Sequence, residues 1–382
     1  MSGKTFGFDP ASCVRLGLRI LRSTLNLAPV AGCLLLTAPS AAGQTTPISP
    51  PPAFGQVPQG AGACSVEKSC TELAPMMIQS ALGPSPLGDN LRTLTDSIAA
   101  RAAGSPEAAG VVAWAVEALR RAGVDNVHSE KFTLPGAGES ENVVGEIRGR
   151  EKPDEFVLLG AHLGSWDLGT GVLDNACNAA IVVDAARVIH ASGNIPRRSI
   201  RFVLFTGEQK GELGSRAYAQ AHRAELDRMV AAIIYDPGRG RVTSYALNGR
   251  KDLLPGVREA LEPLKSLATL EISLDAPDDS DDVDFVLEGV PTLVARQDVA
   301  NYVLSYYSAS DMVDQVDTRE LKRSVAIAAV TAYALADAGT RIGQRQSRAE
   351  IEQLLNGTGL EKSMKAEGAW TAWEKGERGR QP

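Results

Sequence analysis

The sequence is short of histidine, cysteine and excess positive charge, and each shortage narrows its chemistry. With 39 Lys and Arg against 46 Asp and Glu, the formal net charge is −7. No basic stripe is available to neutralise phosphates, which argues against a nucleic-acid or anionic-membrane partner. The apolar run Leu25–Leu36 falls well below the ~20 residues a spanning helix needs. No internal repeat is present. Of the five cysteines, Cys13 and Cys33 lie in the N-terminal segment, and Cys64 and Cys70 are close enough to form a small disulfide loop in an oxidising compartment. Cys177 stands alone among alanines with no His or Cys at ligand spacing, the pattern of a buried inert thiol. Of the four histidines, His128, His190 and His222 fall on an edge strand or at helix ends, where no chemistry is assigned to them. That leaves His162.

What is present is an ordinary globular composition, 44% hydrophobic and 22% charged, with length for one large domain or two modest ones. The N-terminus reads as an export signal over 1–42: Lys4, Arg15, Arg19 and Arg22 are followed by the Leu25–Leu36 run and by small residues at Ser40-Ala41-Ala42. Val30-Ala31-Gly32-Cys33 also resembles a lipoprotein box with Cys33 as the anchor. Because the apolar run continues past Cys33, the cleaved signal is favoured, and the mature chain is expected outside the cytoplasm with no integral span. Residues 43–72, rich in Pro, Gly and Gln, form a linker, and a single domain follows over 73–382.

Within that domain, helical spacing runs from Leu73 to Ala122 with a break at Gly104-Ser105-Pro106. Val127–Leu134 and Asn142–Arg148 alternate as edge strands would, joined by a turn too short to hold an inserted domain. Phe156–Ala161, Ser199–Phe205 and Met229–Tyr235 are continuous apolar runs, the mark of strands buried on both faces. Each ends in polar residues: His162, Thr206-Gly207-Glu208-Gln209 and Asp236. After His162 comes a Gly-rich loop, and Asp174 opens a segment with helical spacing. Long helical patterns at Arg319–Ala338 and Arg345–Leu355 lead to a tail whose Trp370 and Trp373 cover an apolar patch. The expectation is an α/β, three-layer sandwich with a mostly parallel or mixed central sheet flanked by helices.

Strand ends of this kind deliver His162, Asp174, Glu208 and Asp236 to one sheet edge, where open α/β sheets bind ligands. One imidazole, two Asp carboxylates and a further Glu make up what a zinc hydrolase needs: three protein ligands and a general base for water. Trp166, Asp167 and Asp281 are candidate pocket residues. The acidic run Asp275–Asp284 either meets a substrate amine or is a solvated loop.

The segments GAHLGSWDLGTGVLDN, LFTGEQKGELGS, IIYDPGRG, DDSDDVDFVLEGVPTLVA and NYVLSYYSASDMVDQVDTRELK resemble the co-catalytic zinc exopeptidases, the family of leucyl aminopeptidases and carboxypeptidase Q. The resemblance implies a single metallopeptidase-like domain, without the large insertion several relatives carry between the two edge strands. It also implies metal ligands at His162, Asp174 and Asp236, a base at Glu208, zinc as cofactor and a small peptide as substrate. Three positions depart from the pattern. Gln209 and Tyr307 stand where the second metal takes a Glu and a His, and Gly164 stands where an Asp orients the ligand imidazole. The implied function is an exported metallo-exopeptidase, an aminopeptidase or a dipeptidase of the carboxypeptidase Q kind, working with a zinc-activated water on one ion rather than two. The alternative is a pseudopeptidase that binds a peptide or partner, a change of role known in the transferrin-receptor branch of the fold.

Overall fold

The computed structural model describes residues 68–98, 101–136, 138–165, 170–236, 238, 240–278, 280–298 and 313–381. The expected leader, Cys64, Trp166, Asp167 and Tyr307 therefore lie outside the described residues. Within them, eight strands make one mixed sheet in the order β1-β2-β4-β3-β5-β8-β6-β7. These are β1 (Asp125–Leu134), β2 (Gly138–Ile147), β3 (Lys152–His162), β4 (Arg198–Phe205), β5 (Met229–Tyr235), β6 (Val242–Ala246), β7 (Glu271–Ser273) and β8 (Thr292–Gln297). β4, β3, β5 and β8 run parallel at the centre. The β1–β2 hairpin joins antiparallel to β4, so β1 is an edge strand, whereas β2, expected at an edge, lies inside the sheet.

The central strands read as unbroken apolar runs because each face of the sheet has its own core. Val157, Leu159 and Ala161 point to one side, with Ile200, Leu204, Ile233 and Tyr235. There they meet α1 (Cys70–Leu82), α3 (Pro106–Arg121), α4 (Cys177–Ala191) and α8 (Thr318–Asp337). Phe156 and Leu158 point to the other side, against Phe205, Tyr218 of α5 (Leu213–Ala221) and Phe285 of α7 (Asp282–Leu287). This period-two division is how a strand buried on both faces feeds two layers, and it gives the three-layer sandwich expected from the sequence.

α8 is capped by Asp317, whose carboxylate accepts from the Arg319 amide at 2.9 Å. On the α7 side, α9 (Arg348–Thr358), α10 (Leu360–Glu367) and α11 (Trp370–Glu374) pack Ile351, Leu355, Leu360 and Trp373 onto Val283 and Leu287. Arg348 stacks over the Trp373 ring at 4.0 Å. Cys177 is buried, as its alanine-rich neighbourhood suggested. Cys70 is a free thiol at the start of α1, pushed up to about 12 chiefly by burial and then by the charge of Asp337. Among the described residues no helix is long and apolar enough to cross a membrane.

Two expectations are corrected here. Asp174 does not open a helix: it lies in a π-turn over Val172–Ala176 with extended-type dihedrals (φ −132°, ψ 86°), and α4 starts at Cys177. The acidic run is a solvated loop only in its first half, where Asp275 is exposed; Ser280, Asp281, Asp282 and Asp284 are all buried.

The end of β4 is fixed to the first turn of α5 by Asn142 of β2. Its Oδ1 accepts from the Thr206 amide at 3.1 Å, and its Nδ2 donates to the Gly214 carbonyl at 2.8 Å. This seam needs a glycine, because a Cβ on Gly214 would lie 2.2 Å from the Thr206 carbonyl oxygen and 2.6 Å from Asn142 Oδ1. Gly214→Ala is expected to cost ~1–3 kcal/mol as an overpacking change against backbone. Urea unfolding of the variant beside the parent chain measures it, and an unchanged midpoint would refute this account of the seam.

Candidate metal centre

β3, β4 and β5 are neighbours with β3 in the middle, and the chain leaves β3 toward β4 on one side and returns to β5 on the other. Such a reversal of strand order opens a crevice at the carboxyl ends of the strands. His162, the last residue of β3, enters that crevice fully buried. Glu208 follows β4 on a tight turn over Glu208–Lys210, bounded by Gly207 and Gly211, and the Lys210 ammonium anchors the turn by donating to the Ala103 carbonyl at 2.6 Å. Asp236 directly follows β5. Asp174 reaches the same place through the loop after β3.

The geometry is centred on one atom. His162 Nε2 lies 2.9 Å from Asp174 Oδ1, 3.2 Å from Asp236 Oδ1 and 3.8 Å from Glu208 Oε2. His162, Asp174 and Glu208 each offer an atom within 4.8 Å of the other two. The second Asp236 oxygen accepts from the Ser280 hydroxyl at 2.7 Å, which brings the acidic run into the site. On the far side of the ring, Nδ1 faces the Gln209 side-chain amide at 3.3 Å. Asp281 is fully buried and neither of its carboxylate oxygens has a hydrogen-bond partner.

Burial alone would push the His162 imidazole down, but the carboxylates of Asp236, Glu208 and Asp174 hold it well above its ordinary range. Burial drives Glu208 well above the carboxylate range, and the charges of Asp236, Asp174 and Asp281 add to it while His162 opposes. Asp174 is raised for the same leading reason. Burial also lifts Asp281 to about 7. A single imidazolium therefore faces a set of acids that cannot all ionise beside it.

Two supports hold this arrangement, and neither is visible in the sequence. Arg101 is a buried guanidinium that donates to the carbonyls of Leu163 (2.8 Å), Thr170 (2.9 Å), Gly171 (2.8 Å) and Leu94 (2.8 Å). It thereby clamps both ends of the loop between His162 and Asp174. On the other side runs a chain of amides. Gln297 Nε2 donates to Asn178 Oδ1 (2.6 Å), Asn178 Nδ2 to Asn175 Oδ1 (2.6 Å) and Asn175 Nδ2 to the Tyr235 carbonyl (3.0 Å). The residue after Asp174 is in this way tied to the end of β5.

A divalent cation suits this donor set. Asp174 Oδ1 is buried, close to Nε2, and has no partner in hydrogen-bonding geometry. A buried carboxylate oxygen left so costs free energy that a metal ion would recover. Imidazole nitrogen and carboxylate oxygen are the donors zinc accepts, although they do not by themselves discriminate it from manganese or cobalt.

The model of peptidase family M28 matches residues 142–332, half of the chain. The chain belongs to peptidase family M28. This M28 chain is 31% identical over 200 residues to carboxypeptidase Q of Rattus norvegicus and 28% identical over 200 residues to that of Homo sapiens, in each case over 52% of its own length. It matches only 42% of the length of those relatives. Among solved structures, a peptidase M28 precursor from Shewanella amazonensis SB2B superposes with a TM-score of 0.68 at 20% identity, over 73% of this chain and 99% of that one. A zinc aminopeptidase from Bacillus subtilis gives 0.57 at 13% identity, over 69% and 97%. At those identities the structures speak for the fold. The family is one of zinc exopeptidases, and its matched segment contains His162, Asp174, Glu208 and Asp236.

The charge state of the site has a measurable consequence. A cation binds the neutral imidazole, whereas without one the raised His162 keeps its proton near neutrality. Metal binding should then release protons, and affinity should rise with pH, up to about tenfold per unit for each proton displaced. Titration calorimetry in buffers of different ionisation heat checks this; affinity that is flat between about pH 6 and 8 contradicts it.

Proposed function

We propose that this chain is an exported metallo-exopeptidase that hydrolyses small peptides, as an aminopeptidase or a carboxypeptidase Q-like dipeptidase, with one zinc ion held by His162, Asp174 and Asp236. The observation that carries the reading is the convergence of these side chains on His162 Nε2, which lies 2.9 Å from the buried Asp174 Oδ1 and 3.2 Å from Asp236 Oδ1. When bound, zinc supplies Lewis acidity, which acidifies a water molecule and polarises a scissile carbonyl. The chain's own residues do the rest. Glu208, with its carboxyl raised by burial and by its acidic neighbours, is suited to take a proton from the attacking water and pass it to the leaving nitrogen. Ser280 orients Asp236 through its hydroxyl. Asp281, with Trp166 and Asp167 from outside the described residues, is assigned to the substrate side.

One ion rather than two is favoured by Gln209. Its amide carries no charge and is engaged with His162 Nδ1. Tyr307, the other departure, offers a phenol with an ordinary pKa near ~10, a poor zinc donor at neutral pH. Export rests on the basic and apolar N-terminal segment ending near Ala42, with Cys33 lipidation as the alternative.

Metal analysis of the purified protein and assays on aminoacyl and dipeptide substrates test this reading. Zinc should be present at one per chain, chelator should abolish hydrolysis, and Glu208→Gln should lower kcat ~10²–10⁴-fold. Hydrolysis that is absent, or indifferent to both treatments, would leave a peptide- or partner-binding pseudopeptidase as the reading to pursue. A companion measurement addresses ion number: Gln209→Glu combined with Tyr307→His should raise bound zinc from one towards two. Stoichiometry unmoved by the pair would show that these positions do not form a second site.

A further inference from the structure

Gly164 and Gln209 are distant in sequence but share one volume. A Cβ built on Gly164 would sit 2.4 Å from Gln209 Oε1, 3.4 Å from Cδ and 3.6 Å from Nε2. The glutamine amide thus occupies the space that a side chain at position 164 would take. As placed, its Nε2 is the amide atom 3.3 Å from His162 Nδ1, on the side of the ring away from the carboxylates, and Oε1 is turned toward Gly164. Its backbone lies in the turn anchored by Lys210, so the side chain approaches the ring from a fixed base.

The two ends of an amide have the same shape, and the partner decides which one faces the ring. An NH₂ group facing Nδ1 requires the ring proton on Nε2, which then donates to Asp236. Turned over end for end, the amide places its carbonyl oxygen at Nδ1, where it accepts an Nδ1–H and leaves the Nε2 lone pair free. Only the second arrangement suits a ligand imidazole, whose other nitrogen is normally held as a donor by an acceptor outside the metal shell.

We propose that Gly164 and Gln209 act as a pair: the glycine makes room for the glutamine amide, whose oxygen holds His162 by Nδ1–H and readies Nε2 for the metal ion. Gln209 is then a positioning residue of the centre rather than only the remnant of a ligand. The proposal rests on the metal reading above. It also makes Gly164 a requirement, because any side chain there displaces the amide from the ring.

The test uses the full chain and measures zinc affinity by competition with a chromophoric chelator, with circular dichroism to verify folding. Gln209→Ala is expected to weaken zinc binding ~10–100-fold, the usual effect of losing an outer partner of a ligand histidine. Gly164→Ala should weaken it in the same sense. In the double variant Gly164→Asp with Gln209→Ala, a carboxylate enters the vacated volume, and affinity should recover ~10-fold or more over Gln209→Ala. A readout independent of affinity is the His162 Nδ1–H proton in ¹⁵N-histidine-labelled, zinc-loaded protein. It should exchange slowly in the parent chain and rapidly in Gln209→Ala. If Gln209→Ala binds zinc as tightly as the parent, or the double variant binds no tighter than Gln209→Ala, the pairing is wrong and the metal reading stands. A parent chain that binds no zinc overturns the metal reading and the pairing together.

Discussion

The arrangement depends on one electrostatic constraint: several acids share a buried space with a single imidazole. Removing carboxylates from water is expensive, and effective penalties reach several kcal/mol per ion when partners are missing. The fold concentrates this cost at one place because β3, β4 and β5 run parallel and end together, so whatever follows each strand enters the same crevice. Without a cation the chain meets the cost by raising Glu208 and Asp174 and by charging His162. A divalent ion would replace that proton-sharing arrangement with direct charge neutralisation, which makes metal loading and local stability aspects of one equilibrium.

The surroundings of the cluster serve the same constraint. Arg101 brings a positive charge close enough to lower Asp174 while its donors go to backbone carbonyls, so it steadies the loop without occupying the donor atoms. The Gln297–Asn178–Asn175 chain works on the opposite flank with neutral groups. Further back, Arg378 from the C-terminal tail bridges Asp284 of α7 and Glu212 beside the Glu208 turn, at 2.7 Å and 3.2 Å. The acidic run is thus joined to the tail by a buried ion pair, and removing either partner would leave a charge exposed to a low-dielectric surrounding.

How much of this was legible in the sequence depended on range. β3, β4 and β5 announced themselves as continuous apolar runs, and the polar residue ending each was locatable to the position, because burial on both faces leaves no polar alternation to confuse the reading. Asp174 was legible as a neighbour of His162 but not in its conformation: the helical spacing of α4 extends back across the π-turn, so pattern alone could not tell the turn from the helix. The burial of Asp282 and Asp284 was hidden, since their partners come from elsewhere in the chain, Asn248 for Asp282 and Ser215 and Arg378 for Asp284. Arg101 was invisible for the same reason. A lone arginine in a helical stretch carries no local sign that three distant carbonyls need it.

The departures at positions 164 and 209 looked in sequence like separate losses from a two-metal pattern, and the structure gives them a joint meaning. Loss of an acceptor at 164 alone would leave a fully buried ring nitrogen without a partner, at a cost of ~1–3 kcal/mol for an orphaned polar group. Gln209 alone, facing a side chain at 164, would have no room for its amide. Together, with the amide oxygen turned to the ring as proposed, they would satisfy Nδ1 and fill the volume. A neutral amide oxygen strengthens the imidazole donor less than a carboxylate would, so a centre built this way should be weaker than one with an acid in that place.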